Sequence, residues 1–225
     1  MSIVISRSEI AAGKLGFDAA IFDLDGTLLD SMWVWHAVDK AFFAARGLDL
    51  PCDYVQEILS MTFRETAEYT IKRFGLDETV EAVMAEWNEM SFQQYREHVK
   101  LKPGACEYLE KLRAKGVKLA TATALTTHVM QAVLESNGVL HLFDALTSAD
   151  EVARGKTHPD IYLLAAQKLG VEPRRCIVFE DVPKTLRGIH AAGMTACAVW
   201  EPCNGSWDEM TRQFDVYIKG FEELL

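Results

Sequence analysis

A chain of 225 residues is long enough for a full hydrophobic core and a small second domain, and 49% apolar with 25% charged residues is the composition of a soluble globular protein. Its formal net charge of −10 disfavours nucleic acid or an anionic membrane as a partner, because both demand a basic surface. A small anionic substrate stays open, since a local cluster of cations overrides the global field.

Residues 1 to about 17 form a mixed leader without a clear period, and no function is assigned to them. Ala19-Ala20-Ile21-Phe22 is apolar on both faces and reads as a buried strand. It runs into Asp23-Leu24-Asp25-Gly26-Thr27, where Gly26 permits a sharp exit turn and Thr27 offers a hydroxyl beside it. Asp30-Ser31 is a helix start, and the helix is expected to reach Arg46-Gly47. At 100° per residue, Val34, Trp35, Val38, Ala41, Phe42 and Ala45 share the face expected to be packed, which puts Trp33 on the opposite, polar side. Further helices are expected over 52–60, 64–74 and 78–98, and no strand pattern occurs between 31 and 99.

Pro103-Gly104 marks a change of pattern. Helices are expected over 105–115, 126–137, 160–169 and 183–192, alternating with strands over 117–121, 145–147, 176–179, 195–200 and 215–218. Alternating strands and helices predict an α/β fold: a Rossmann-like parallel sheet covered by helices on both faces. The sequence divides into a core of residues 1–30 and 100–225 and a helical insert, 31–99, after the first strand. Five cysteines, an odd number without metal-site spacing, fit a reducing compartment. Ile3–Ile5 is too short for a signal-peptide core and no apolar run approaches a membrane span, so a cytoplasmic protein is expected. The sequence does not set an oligomeric state.

The chemistry gathers at strand ends, where open α/β sheets bind their ligands. Asp23 ends the first strand and Asp25 follows at a spacing that aims both carboxylates one way. Lys118-Leu119-Ala120 leads to Thr121-Ala122, Lys156 precedes a helix, and Phe179 is followed by the adjacent acids Glu180 and Asp181. Thr121 alone is an ordinary strand residue, and Lys156 alone an ordinary solvated one. The acids are more telling, since carboxylates at neighbouring strand ends repel by about 4 kcal/mol per pair at ~4 Å and an effective dielectric of ~20. Such a site demands cations, and all-oxygen ligands point to Mg²⁺, with Lys156 as a second positive charge.

In this combination the residues resemble the haloacid dehalogenase (HAD) superfamily of aspartate-nucleophile phosphohydrolases. The order Asp23-to-Thr27, Thr121, Lys156, Glu180-Asp181 matches its four motifs. The helical insert after the first strand is similar to the cap domain of its β-phosphoglucomutase-like branch. The resemblance implies that Asp23 forms an aspartyl-phosphate and that Asp25 protonates the leaving oxygen and then deprotonates water. It also implies that Thr121 and the Ala122 N–H bind the phosphoryl group and that Lys156 neutralises Asp23 and phosphate. Mg²⁺ would be held by Asp23, the Asp25 carbonyl and Asp181, with Glu180 a direct or indirect ligand. The implied reaction is hydrolysis of a small phosphate ester. A sugar phosphomutase is the alternative, disfavoured because 86–94 contains Glu89 and no lysine. A non-catalytic phosphate-binding protein is disfavoured because Asp23, Asp25 and Lys156 are all present. Val182-Pro183, Ala124 and Thr157 depart from the usual pattern without removing a group the chemistry needs. In the insert, Arg64 resembles an arginine that faces the site in mutase relatives, and Trp33, at the root of the insert, is a candidate to cover the cleft.

Overall fold

The computed structural model describes residues 9–10, 16–58, 61, 63–204 and 206–225. The leader and the last two positions of the helix expected over 52–60 lie largely or wholly outside them. The chain divides into two compact units, Met1–Met32 with Val99–Leu225, and Trp33–His98.

The first unit is the expected α/β fold. Strand β1 (Ala19–Phe22) lies between β4 (Lys118–Thr121) and β5 (Cys176–Glu180), and β6 (Thr195–Val199) and β7 (Val216–Ile218) complete a five-stranded parallel sheet in the order β4-β1-β5-β6-β7. Because side chains alternate across a strand, β1 serves two cores. Ile21 and Val178 face a cluster with Ile161, Ala165 and Ile189. Phe22 stacks on Phe179 at 4.7 Å, and Tyr108 and Phe221 close around Phe179. The helices that cover the sheet are α5 (Ala105–Ala114), α6 (Thr127–Ser136), α7 (Asp160–Leu169), α8 (Leu186–Ala191) and α9 (Trp207–Gln213). Of these, α9 is absent from the sequence reading, and the helix expected over 183–192 opens as a 3₁₀ turn, Pro183–Thr185, before α8.

Two further differences lie near the strand ends. The strand expected over 145–147 is reduced to isolated pairings of Ala145 with Ala120 and of Ser148 with Thr123. A two-residue antiparallel ladder joins β2 (Leu29–Asp30) to β3 (Lys100–Leu101), too short to leave an alternating pattern in the sequence.

The second unit contains α1 (Val34–Ala45), α2 (Tyr54–Ile58), α3 (Phe63–Phe74) and α4 (Val80–Glu97). The Thr79 side chain caps α4 by accepting the Ala82 N–H at 3.2 Å. The buried face of α1 holds Val34, Val38 and Phe42 as expected, but Asp39 and Phe43 take the places expected for Trp35, Ala41 and Ala45. Phe42 meets Trp87 of α4 at 5.2 Å, while Phe43 meets Tyr54 and Phe74 at 5.0 and 4.7 Å. Serving two sets of neighbours rotates the buried stripe, which leaves Trp35 exposed at 46% along with Ala41 and Ala45.

Candidate active site

Asp23 stands where β1 ends, its N–H donating to the Phe179 carbonyl of β5 at 3.0 Å. The side chain is buried, and Lys156 Nζ lies 2.7 Å from its Oδ1. The same ammonium contacts Glu180 Oε1, while Glu180 Oε2 accepts the Val182 N–H at 2.8 Å. Asp181 is held on both oxygens, by the Thr27 hydroxyl at 2.7 Å and by the Asn204 amide. The exit turn requires glycine at position 26, where φ is +76° and an added Cβ would strike the Asp181 carboxylate. Gly188 of α8 does similar work for Lys156, because a Cβ there would meet the backbone oxygen of Lys156 and, at 2.7 Å, that of His158. Removing that side chain lets α8 press the lysine-bearing loop toward the acids.

Asp23, Lys156 and Glu180 line a cleft of about 510 Å³ together with Asp25, Ala124 and Asn204. Ser31 does not cap α1, which starts at Val34 with Trp33 before it; its hydroxyl donates to Asp25 Oδ1 at 2.6 Å. A carboxylate is the stronger acceptor, and the bond fixes Asp25 in the cleft wall.

Asp23, Glu180 and Asp181 each bring an oxygen within 4.8 Å of the other two. Burial pushes all three carboxyls above the ordinary range and mutual repulsion adds to the rise, with Lys156 opposing it. Burial alone would pull the Lys156 ammonium down, but Asp23 and Glu180 outweigh it and hold the ammonium above its usual value. Three buried acids around one ammonium leave an excess of negative charge. An all-oxygen donor set with that excess fits a hard divalent cation.

Two sequence expectations change. Thr121 is fully buried and does not reach the cleft: its hydroxyl accepts the Thr147 N–H at 2.8 Å and donates toward Met130 Sδ at 3.0 Å. The Ala122 N–H is likewise engaged, by the Phe22 carbonyl at 2.8 Å. Register explains it, because Thr121 pairs with Phe22, one residue short of Asp23. Thr123 is fully buried as well, its hydroxyl accepting the Leu125 N–H at 3.2 Å; the cleft begins at Ala124, whose N–H makes no hydrogen bond to a described residue. Arg64 is bound within its own unit, 2.7 Å from Glu81 and 3.9 Å from Glu68. Trp33 precedes α1 and is 37% exposed. Sequence reasoning missed Ser31 as a partner of Asp25, and Asn204, whose loop has no periodic signal.

A sequence model of haloacid dehalogenase-like hydrolases matches residues 20–199, a span that holds every acid of the cleft and Lys156. The chain belongs to this family. Among relatives, protein CbbY of Rhodobacter capsulatus is 33% identical over 78% of this chain and 82% of its own length. Hexitol phosphatase A of Escherichia coli is 32% identical over 91% of each chain. A solved β-phosphoglucomutase-like structure from Thermotoga maritima superposes with a TM-score of 0.82 at 26% identity, covering 92% of this chain and 96% of that one. As a haloacid dehalogenase-like hydrolase, the chain carries its acids at the carboxyl ends of β1 and β5. Among the described residues, no helix is long and apolar enough to cross a membrane.

Proposed function

We propose that the protein is a Mg²⁺-dependent phosphatase that hydrolyses a small phosphorylated metabolite through an aspartyl-phosphate on Asp23. The observation that carries this reading is the placement of Asp23 in the cleft, 2.7 Å from the Lys156 ammonium and within one cluster with Glu180 and Asp181. The names of the hexitol phosphatases favour a phosphorylated sugar or polyol. The five cysteines form no disulfide, which supports a cytoplasmic location.

In the first step an Asp23 oxygen attacks phosphorus and the ester P–O bond breaks. Asp25, oriented by Ser31, gives a proton to the departing oxygen. In the second step Asp25 takes a proton from water as the water oxygen attacks phosphorus, releasing inorganic phosphate and restoring the Asp23 carboxylate. Lys156 offsets the charge of Asp23 and of the phosphoryl group, and Glu180 holds Lys156 in place. The Ala124 N–H takes the phosphoryl-binding role that the family resemblance gives to Thr121 and Ala122. Asp23, Asp181 and the Asp25 carbonyl would hold Mg²⁺, which supplies electrostatic stabilisation of the phosphoryl oxygens.

The test is phosphate release from a panel of phosphorylated sugars and polyols, with EDTA, Mg²⁺ or Ca²⁺. Activity should vanish in EDTA and return with Mg²⁺, but not with Ca²⁺, whose coordination is looser. Asp23→Asn should fold normally and release no phosphate. Turnover by that variant near the wild-type rate, or full activity without metal, would overturn the reading.

A further inference from the structure

Among the described residues, two cations line the cleft, Lys156 and Lys184, and the mechanism uses only the first. Lys156 is consumed by Asp23 and Glu180 beneath it. The acids are committed as well: Glu180 to Lys156 and the Val182 N–H, Asp181 to Thr27 and Asn204, Asp25 to Ser31. Lys184 is exposed and makes no hydrogen bond or ion pair to any described residue. Its backbone is nonetheless fixed. It sits in the 3₁₀ turn Pro183–Thr185, where the Thr185 hydroxyl and N–H both donate to the Val182 carbonyl, at 2.7 and 3.1 Å. A rigid base with a free four-carbon stem gives a steerable point charge at the wall of the cleft.

The transferred phosphoryl group must lie against Asp23, where Lys156 already serves as its cation. Lys184 follows Asp181 by three residues, on the turn that leaves β5, and is left over for another part of the substrate. In a chain of net charge −10, a cleft-lining lysine that neutralises none of the surrounding carboxylates is a site for an incoming anion.

We propose that Lys184 determines specificity by holding a second anionic group, so that the preferred phosphate ester also carries a carboxylate or another phosphate. This rests on the phosphatase reading and narrows its substrate class. The test compares kcat/KM of the full-length protein with Mg²⁺ on two matched pairs, glucitol 6-phosphate against 6-phosphogluconate and fructose 1-phosphate against fructose 1,6-bisphosphate. Wild-type protein should favour the more acidic member of at least one pair. Lys184→Gln should lower that preference ratio roughly 10- to 100-fold, the worth of one charge-assisted hydrogen bond, and Lys184→Arg should retain most of it. The pair whose ratio falls identifies carboxylate or phosphate as the second anion. A ratio unmoved in both pairs, or an equal loss on all four esters, would overturn the proposal while leaving the phosphatase reading intact. Wild-type protein inert toward all four and toward p-nitrophenyl phosphate would overturn that reading, and this proposal with it.

Discussion

Lys156→Met tests the electrostatic design of the cleft, because it keeps most of the side chain's bulk and removes only the ammonium. That ammonium lies 2.7 Å from Asp23 and also contacts Glu180, with side-chain exposures of 14% for the lysine, 8% for Asp23 and none for Glu180. Removing one partner of a buried ion pair costs about 3–5 kcal/mol, chiefly through the charge left behind. At about 2–4 °C per kcal/mol for a chain of this size, Tm should fall by roughly 6–20 °C at pH 8 in EDTA. Both carboxyls already titrate above their unfolded values, and losing the cation raises them further. Acids shifted in that direction contribute stability that is fully present below their unfolded pKa, near 4, and lost as pH rises through the folded pKa. The penalty should therefore be smaller at pH 5, where protonation replaces the missing charge, than at pH 8. Thermal unfolding followed by circular dichroism at both pH values, with phosphate release measured beside it, decides the matter. Equal Tm losses at pH 5 and pH 8, or a loss under about 2 °C at pH 8, would refute the argument, as would activity within about tenfold of wild type.

If Asp25 is the proton donor, Asp25→Asn should slow hydrolysis of sugar phosphates far more than that of p-nitrophenyl phosphate, whose leaving group needs no proton; equal losses in kcat would make Asp25 structural. Asp39 is buried in α1 without a hydrogen bond or ion pair to a described residue, and burial pushes its carboxyl up to about 6. Its contribution to stability falls as pH rises through that value, so Asp39→Asn should stabilise the protein at pH 8 by up to ~3 kcal/mol and by much less at pH 4.5, read from urea unfolding at both. We propose that Trp33 contributes to substrate binding: Trp33→Ala should raise KM by several-fold with Tm within about 3 °C of wild type. A large fall in Tm with unchanged KM would make Trp33 a packing residue.

The legible part of this site is the part where one residue type at one position has few other uses. A buried apolar run ending in Asp23, Gly26 as the exit turn and adjacent acids after Phe179 each conflict with an ordinary core, and the conflict marks them. Lys156 became readable only once the acids demanded a cation. The fold was legible for a related reason, because strands buried on both faces and helices closed by glycines leave distinct patterns. The helical insert was harder. Its boundaries follow from the absence of strands, but the packed face of α1 depends on two neighbours at different angles, and a helical wheel supplies only one direction. Hence Trp35 and Phe43 exchanged places between expectation and structure.

The misplacement of the phosphoryl-binding position has a different origin. Thr121 and Thr123 are two residues apart, carry the same hydroxyl and fall on the same side of a strand, so periodicity cannot choose between them. What chooses is register with β1: pairing of Thr121 with Phe22 places it level with the last apolar residue of that strand, and only residues beyond Ala122 lie past Asp23. The hydroxyl in the sheet is then taken up by Thr147 and Met130, whereas the chain at Ala124 has left the ladder and presents an N–H with no partner among the described residues. Ala124 is exposed, so its N–H is solvated in the free protein and can exchange that hydration for a direct hydrogen bond to a phosphoryl oxygen. A backbone position, more than any side chain of β4, therefore connects the register of the sheet to the chemistry at its edge.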